Sequence, residues 1–209
     1  MWTRKTGKQV HLMRCHFIRH GKRERRIGDP PLTPEGREEA ERLAGKLATH
    51  GITRIFSSPL ARTRDTAGII AAVLNLEVTE DSRLRERVNW GDIEGQSFDE
   101  FMAQWEHCCR ERDYQPAVGD SSVAAGRRIE DFVSDRYRQL SRDTVIGVTH
   151  GGVLADFLLN VFSSEKLTRV RPNFCDDPYG AEVLRECSVT TIAYDDNQYR
   201  LDAVGAVLI

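Results

Sequence analysis

Two histidines, each followed by glycine, are the side chains of this sequence best suited to chemistry. His20 stands directly after Arg19, His150 lies in the second half of the chain, and a further arginine, Arg62, follows the serine pair at 57–58. A neutral imidazole is an available nucleophile near pH 7. Arginine side chains match the oxygens of a phosphoryl group with two parallel N–H donors. These residue types therefore indicate chemistry on a phosphoryl group.

The candidate residues occur where predicted strands end. Three apolar stretches predict buried strands that run directly into them: 10–18 into Arg19-His20, 52–56 into Ser57-Ser58, and 144–148 into Thr149-His150. Because the carboxyl ends of parallel strands meet at one edge of a sheet, we expect these three points to converge. The pocket would open onto the amino ends of the helices that follow Ser58 and His150, where N–H groups and the helix dipole favour a phosphoryl group.

Helical patterns alternate with these strands. Thr33 and Pro34 predict the start of a helix and Gly51 its stop, with an inner face formed by Ala40, Leu43, Ala44, Leu47 and Ala48. Further predicted elements are a helix at 59–74 capped by Ser57-Ser58, a short strand near Val78, a helix with a capping box at Ser97 and Glu100, helices at 123–140 and 153–159, and strands at 189–194 and 199–204 joined by a turn at 195–197. The helices after Ser97 and at 123–140 are expected to cover the sheet. The alternation predicts an α/β fold with three layers, α/β/α, around a mostly parallel sheet.

Composition narrows the class of protein without naming a partner. The 209 residues, 40% hydrophobic and 30% charged, predict a single globular domain over 1–209, and the formal net charge of -2 argues against a general polyanion binder. The basic segment 1–12 is interpreted as a flexible tail. The five cysteines form no C-x-x-C pair, which disfavours a disulfide framework or a zinc site. Since no apolar run approaches the length of a membrane span, we expect a cytoplasmic protein without a membrane or nucleic-acid partner.

Five ordered blocks of sequence resemble one known family. They are Arg19-His20-Gly21, the segment 32–36 (LTPEG), the segment 57–67 (SSPLARTRDTA), the pair 84–86 (LRE) and 91–95 (GDIEG), and the segment 148–152 (VTHGG), with a weaker late block at 187–190. In this order they resemble the histidine phosphatase superfamily, the branch that includes the cofactor-dependent phosphoglycerate mutases. A single Arg-His-Gly would carry no weight, whereas five blocks in order are a specific signal.

The resemblance implies a role for each matched residue. His20 would attack phosphorus through a ring nitrogen and become a phosphohistidine, while Arg19, Arg62 and His150 would hold the phosphoryl oxygens. Glu86 would protonate the leaving oxygen and then accept a proton from water. The scheme requires no metal, and we expect no cofactor.

Two of these assignments, those of Arg62 and Glu86, have alternatives within the sequence, and one further arginine could join the site. Arg62 could instead pair with a carboxylate such as Asp65 or Glu86. Glu94 is a second candidate for the acid. Arg23 lies four places after Arg19, a spacing that resembles the acid phosphatase branch, and it could add a phosphate contact or simply face solvent.

Departures from the family favour hydrolysis over transfer. The loop before Leu32 and the segment 94–121 are short, whereas phosphoglycerate mutases use longer segments to shield the phosphoenzyme from water. We therefore expect a phosphatase that acts on a phosphorylated small molecule or a phosphoprotein. A mutase and a catalytically silent phosphate-binding module are the alternatives.

Segment 163–185 could form a rim of the site or a surface loop. Trp90, Phe101 and Trp105 could line a cleft, although such spacing is more often core.

Overall fold

A six-stranded sheet with helices on both faces forms the centre of the protein. The computed structural model describes residues 12–177, 182–195 and 198–208. The predicted basic tail therefore lies almost entirely outside the described residues, as does most of the predicted turn at 195–197. The strands are β1 Met13–Arg19, β2 Ile52–Ser57, β3 Val78–Glu80, β4 Thr144–Thr149, β5 Val189–Asp195 and β6 Gln198–Ala206. The helices are α1 Pro34–Leu47, α2 Ala61–Leu74, α3 Phe98–Arg110, α4 Ser122–Leu140, α5 Gly151–Val161 and α6 Ser164–Val170.

The strand order explains how the two histidines meet. The sheet runs β3-β2-β4-β1-β5-β6, with its first four strands parallel and its last two antiparallel. Arg19 on β1 pairs with Thr149 on β4, so the next residue of each strand, His20 and His150, leaves the sheet at the same height. The His20 N–H donates to the Thr149 carbonyl at 3.0 Å and extends the ladder by one bond. The predicted mostly parallel α/β fold is confirmed.

Two apolar clusters, one on each face of the sheet, form the three layers. One cluster packs Phe17 of β1 against Phe132 of α4 and Phe157 of α5. The other packs Ile18 of β1 beneath Leu43 of α1 and Ile70 of α2. Adjacent residues of β1 thus point to opposite faces, as the alternation of a strand requires. Because β1 is buried on both faces, its position is fixed, and so is the position of Arg19-His20 at its carboxyl end.

Several local predictions hold and others need correction. Thr33 caps α1 through the Gly36 N–H, and the capping box at Ser97 and Glu100 begins α3. The second helix, however, begins at Ala61 with Leu60 as its cap residue, and no side chain caps it. The prediction that Ser57-Ser58 caps this helix is therefore wrong. The Ser57 hydroxyl donates to the Ser58 carbonyl, and the Ser58 hydroxyl bonds to His150. Ala48 lies beyond α1 and is exposed.

The predicted position of α3 is also wrong. Within the described part of the chain, α3 contributes no residue to either apolar cluster. Its inner face carries Phe101, Met102 and Trp105, which line a cavity at the carboxyl edge of the sheet. Helix α3 therefore covers a cavity, because its apolar side chains pack there rather than against the sheet.

In its described parts, residues 163–177 and 182–185, segment 163–185 forms helical elements and contributes side chains to the core. It contains α6 and a short 3-10 helix, Phe174–Asp176, and the described side chains of Leu167, Phe174 and Leu184 belong to the core. The Leu184 carbonyl accepts a hydrogen bond from Arg19 at 2.7 Å. The end of the segment thus fixes a predicted site residue.

Candidate active site

A cavity of about 170 Å³ opens where β1, β2 and β4 end. It has a basic side and an apolar side. The basic side carries Arg19, His20, Arg23 and Arg62, with the carboxylates of Glu86 and Glu186 beside them. The apolar side is an aromatic wall, defined here as Val88, Trp90, Phe101, Met102 and Trp105. Five of the six site residues predicted from the sequence therefore line one cavity.

His20 is held as a neutral imidazole with one nitrogen available. Its Nδ1 lies 2.8 Å from the Gly21 carbonyl oxygen, which can only accept, so Nδ1 carries the proton and donates. The lone pair is then on Nε2. Burial, followed by the charges of Arg62 and Arg19, lowers the pKa of His20 well below its usual value of 6.5. The ring is therefore neutral at physiological pH, as a nucleophile must be.

Gly21 allows this loop to lie close to α1. A Cβ at position 21 would come within 2.5 Å of the Gly36 carbonyl oxygen. The Gly21 N–H donates to the Thr66 hydroxyl of α2 at 3.0 Å. The residue after the candidate nucleophile is thus fixed between two helices.

His150 lies behind the cavity and does not line it. It is completely buried, and its ring meets the His20 ring edge-on at 5.3 Å. Arg62 Nε donates to its Nδ1 at 3.2 Å, so the proton of the neutral ring is on Nε2 and points to the Ser58 hydroxyl at 2.9 Å. Burial, then Arg62 and His20, lower the pKa of His150 well below 6.5. Its predicted contact with a phosphoryl oxygen stays a prediction.

Arg62 faces the cavity rather than the carboxylates of its own helix. Its Nη2 donates to the Asn89 side-chain oxygen at 2.8 Å, and its Nη1 lies 3.6 Å from Asp29. The alternative partner Asp65 is instead bonded to Arg37 and to the Leu32 N–H. Burial lowers the pKa of Arg62 to about 10, which leaves it charged at neutral pH.

Arg19 and Arg23 complete the basic side. Arg19 Nη2 lies 3.3 Å from the Glu186 carboxylate, a residue that the sequence motifs did not single out. Arg23 is partly buried and donates to the Glu24 carbonyl at 3.2 Å. Burial, followed by the charge of Arg19, lowers the pKa of Arg23. Arg23 thus lines the cavity while part of its side chain stays exposed, and its phosphate contact stays a prediction.

Glu86 is the carboxylate of the two candidates that reaches the site. Its Oε1 accepts the N–H groups of Arg87 at 2.9 Å and Val153 at 2.8 Å, and its Oε2 accepts the Gly152 N–H at 3.1 Å. Glu94 lies apart, in a surface pocket with Ile93 and Glu100. The structure thus selects Glu86 over Glu94 on position.

The two helix amino ends are not open to a phosphoryl group in the way the sequence predicted. Glu86 takes the Gly152 and Val153 N–H groups at the start of α5, and Asp29 takes the Ala61 N–H at the start of α2. A carboxylate at a helix amino end satisfies free donors and interacts favourably with the dipole. These ends therefore position acids beside the cations of the cavity.

Of the two alternatives for Trp90, Phe101 and Trp105, the structure supports the cleft, because all three line the cavity. Trp105 is 7% exposed and lies over the Arg87 guanidinium, whose carbon is 4.0 Å from the ring centre. Arg87 is itself buried and forms a 3.1 Å ion pair with Asp156 of α5. Trp105 of the wall therefore packs on a buried ion pair, Arg87 with Asp156, which no local sequence pattern indicated.

The close contact of Gly152 with the wall leads to a stability prediction. A Cβ at position 152 would lie 2.4 Å from the Trp105 ring and 2.8 Å from Glu86 Oε1, so Gly152→Ala forces both to move. We expect this variant to lower the free energy of unfolding by about 1–3 kcal/mol. Urea unfolding measures it. The control is Gly68→Ala in α2, where a Cβ meets nothing within 4 Å and unchanged or slightly higher stability is expected. Equal stability of the two variants would contradict the packing described.

The buried histidines also predict how stability depends on pH. Burial is the first cause that lowers the folded-state pKa of His16, to about 4, and of His20 and His150. The unfolded chain then binds more protons below pH 6.5, so stability is full above this pH and falls as the pH drops. Asp156, whose pKa burial raises to about 6, acts in the opposite direction.

Between pH 7.5 and 5.5 we expect the free energy of unfolding to fall by about 3 kcal/mol: the three histidines lose about 1.4 kcal/mol each over the pH unit below 6.5, and Asp156 offsets about 1 kcal/mol of the total. Urea titrations at the two pH values measure the change. A His16→Asn variant should show a shallower fall, because it removes one of the three groups. A free energy that does not change over this range would show that the rings are not held neutral.

Among residues 12–177, 182–195 and 198–208, no group of three or more His, Cys, Asp or Glu side chains could hold a metal ion. In the same ranges, none of the helices has the length and apolar character to cross a membrane.

Comparison with known proteins agrees with the predicted family. The sequence model of the histidine phosphatase superfamily (branch 1) matches residues 15–206. The "Probable phosphoglycerate mutase GpmB" of Escherichia fergusonii is 28% identical over 200 residues, which cover 90% of this chain and 88% of that protein.

Solved structures share the fold. A mycobacterial glucosyl-3-phosphoglycerate phosphatase in complex with VO3 superposes with a TM-score of 0.72 at 24% identity, covering 93% of this chain and 99% of the other. A phosphoserine phosphatase mutant from Entamoeba histolytica, in complex with phosphoserine, gives a TM-score of 0.71 at 22% identity, covering 93% and 97%. The prediction of a histidine-dependent phosphatase is confirmed at the level of the superfamily. Since the family model spans nearly the whole chain, the protein belongs to the histidine phosphatase superfamily, branch 1.

Proposed function

We propose that the protein hydrolyses phosphomonoesters through a phosphohistidine formed on His20. The observation that carries the proposal is the fixed tautomer of His20. Its Nδ1 proton is bound to the Gly21 carbonyl at 2.8 Å, which leaves the Nε2 lone pair for a cavity lined by Arg19 and Arg62. A neutral nucleophile beside fixed cations suits phosphoryl transfer, in which positioning and charge stabilisation supply most of the catalysis.

In the first step, Nε2 of His20 forms a bond to phosphorus while the bond from phosphorus to the leaving oxygen breaks. Glu86 gives its proton to that oxygen. Its Oε2 accepts one backbone N–H bond and its Oε1 accepts two, so Oε2 keeps a lone pair for the transferred proton.

In the second step, water forms a new bond to phosphorus and gives a proton to Glu86, while the nitrogen–phosphorus bond breaks and restores neutral His20. We assign the phosphoryl oxygens to Arg19, Arg62 and His150. Since His150 does not line the cavity, its contact requires the Nε2 proton to turn from the Ser58 hydroxyl toward the phosphoryl oxygen. Arg23 would add a contact, and the scheme uses neither a metal nor a cofactor.

Hydrolysis is preferred to a mutase reaction because of the short segments around the cavity. The short loop at residues 22–31 leaves little chain to shield a phosphohistidine from water, and segment 94–121 adds only helix α3, which lines one side of the cavity. The name of the Escherichia fergusonii relative points to the alternative, a phosphoglycerate mutase. A phosphorylated small molecule or a phosphoprotein, met in the cytoplasm, is the proposed substrate.

One pair of assays separates these activities. A phosphatase releases inorganic phosphate from p-nitrophenyl phosphate without any added bisphosphate. A mutase interconverts phosphoglycerates and depends on a bisphosphoglycerate primer. Activity that appears only with the primer would refute the proposal. Binding of phosphate esters without release of phosphate would favour the silent module.

A further inference from the structure

We infer that the leaving group of the substrate is an aromatic ring, so that the preferred substrates are phosphate esters of phenols. The inference rests on the proposed function only for which side of the phosphorus the leaving group occupies. Its other support is the composition and the rigidity of the aromatic wall, which indicate what kind of leaving group fits there.

Glu86 marks the side of the leaving group. The acid must lie beside the oxygen that it protonates, and the leaving group must extend from that oxygen. Glu86 and Trp105 both lie against Gly152, at 2.8 and 2.4 Å from the position of a Cβ there. Val88 and Trp90 follow Glu86 in the chain and line the same cavity. A group that leaves past Glu86 therefore meets the aromatic wall.

The wall is held in place before any ligand arrives. Trp105 is fixed by Arg87 beneath it, and Arg87 is bonded to Asp156 and Ser122. Phe101 packs against Trp105 with ring centres 5.9 Å apart. The Trp90 indole N–H donates to the Gln96 carbonyl at 3.0 Å. Rigid rings lose little conformational freedom on binding, so they can contribute most of their contact area to affinity.

The charges of the cavity argue against a small polar leaving group. All three arginines that line it, Arg19, Arg23 and Arg62, belong to the basic side with His20. Beside the wall, Asn89 lines the cavity with its oxygen already accepting from Arg62, and on the wall the buried Trp105 Nε1 has no hydrogen-bond partner among the described residues. A ring can stack on Trp105 or Phe101, whereas a sugar or a glycerate would set several hydroxyl groups against a wall whose described side chains offer one unpartnered donor, the Trp105 N–H.

Non-hydrolysable phosphonates test the inference apart from catalysis. We expect the full chain to bind phenylphosphonate roughly 10-fold more tightly than methylphosphonate in calorimetry, because only the former covers the wall. Phe101→Ala should remove most of this difference. Tyr114→Ala is the matched control, since Tyr114 stacks on His107 and does not line the cavity. Thermal unfolding of each variant checks that it is folded.

Kinetics give the second readout. The ratio of kcat/KM for phenyl phosphate to that for glycerol phosphate should fall roughly 5- to 10-fold in Phe101→Ala, mainly through KM for phenyl phosphate, and should stay constant in Tyr114→Ala. Turnover of a phosphotyrosine peptide as fast as phenyl phosphate would identify a protein substrate, and slower turnover a small molecule; both support the aromatic ring.

The two proposals fail in different ways. Equal affinity for the two phosphonates would overturn the inference even if His20 is phosphorylated. A preference for 3-phosphoglycerate over phenyl phosphate, unchanged in Phe101→Ala, would do the same. Tighter binding of phenylphosphonate in a protein that releases no phosphate would refute the proposed function and leave the inference standing.

Discussion

Replacing His20 by alanine is expected to lower kcat/KM by roughly 10⁴-fold or more, because no other neutral nitrogen in the described cavity can form the bond to phosphorus. His150 cannot take its place: both of its ring nitrogens are bonded, to Arg62 and to Ser58, and the ring does not line the cavity. Steady-state phosphate release measures the loss.

The control for this variant is His50→Ala, because His50 is exposed, lies beyond the end of α1 and does not line the cavity. It should keep the activity of the unaltered protein within about 2-fold, as surface substitutions usually do. Thermal unfolding should show that His20→Ala remains folded. Residual activity of His20→Ala above about a tenth of the original would mean that another group is the nucleophile.

Replacing Glu86 by glutamine is expected to give the second largest loss, roughly 10²- to 10⁴-fold in kcat. The size should depend on the leaving group, because a poor leaving oxygen needs a proton and a good one does not. We therefore expect a large loss with an alkyl phosphate and a much smaller one with p-nitrophenyl phosphate. Comparing kcat for the two substrates measures this.

A structural role of Glu86 has a different signature. Glu86 also accepts the N–H groups of Gly152 and Val153, so Glu86→Gln should lower the unfolding temperature. A loss that arose only from a disturbed α5 would affect both substrates equally. Equal losses with the alkyl and the aryl ester would therefore contradict the assignment of Glu86 as the acid.

The backbone part of the site could be predicted because its signals are local. Strand β1 ends in Phe17-Ile18-Arg19 and is followed by His20, and β4 ends in Thr149 and is followed by His150. Parallel pairing of adjacent strands then places both histidines at one edge. The caps of α1 and α3 likewise depend on residues within one turn.

The part of the site that the sequence did not predict depends on contacts between residues that are distant in the chain. Asp29 reaches Arg62, Glu186 reaches Arg19, and neither acid lies in a motif. The occupation of the α5 amino end by Glu86 joins positions 66 residues apart. Such pairings follow from the packed geometry, and no spacing or periodicity in the sequence indicates them.

The aromatic wall shows the same limit in another form. Helical spacing of Phe101, Met102 and Trp105 predicts one apolar face of α3 but not what that face covers. The deciding contact is the stack of Trp105 on Arg87, which depends on the ion pair with Asp156 in a different helix. A face that could have covered the sheet therefore lines the site.

Rapid quenching with a ³²P-labelled phosphate ester tests the central claim most directly. During turnover, the protein should carry label that is stable in base and lost in acid, mapped to the peptide that contains His20 and absent from His20→Ala. The rate of its formation should match or exceed kcat. Label on another residue, or phosphate release without any labelled protein under single-turnover conditions, would contradict the account.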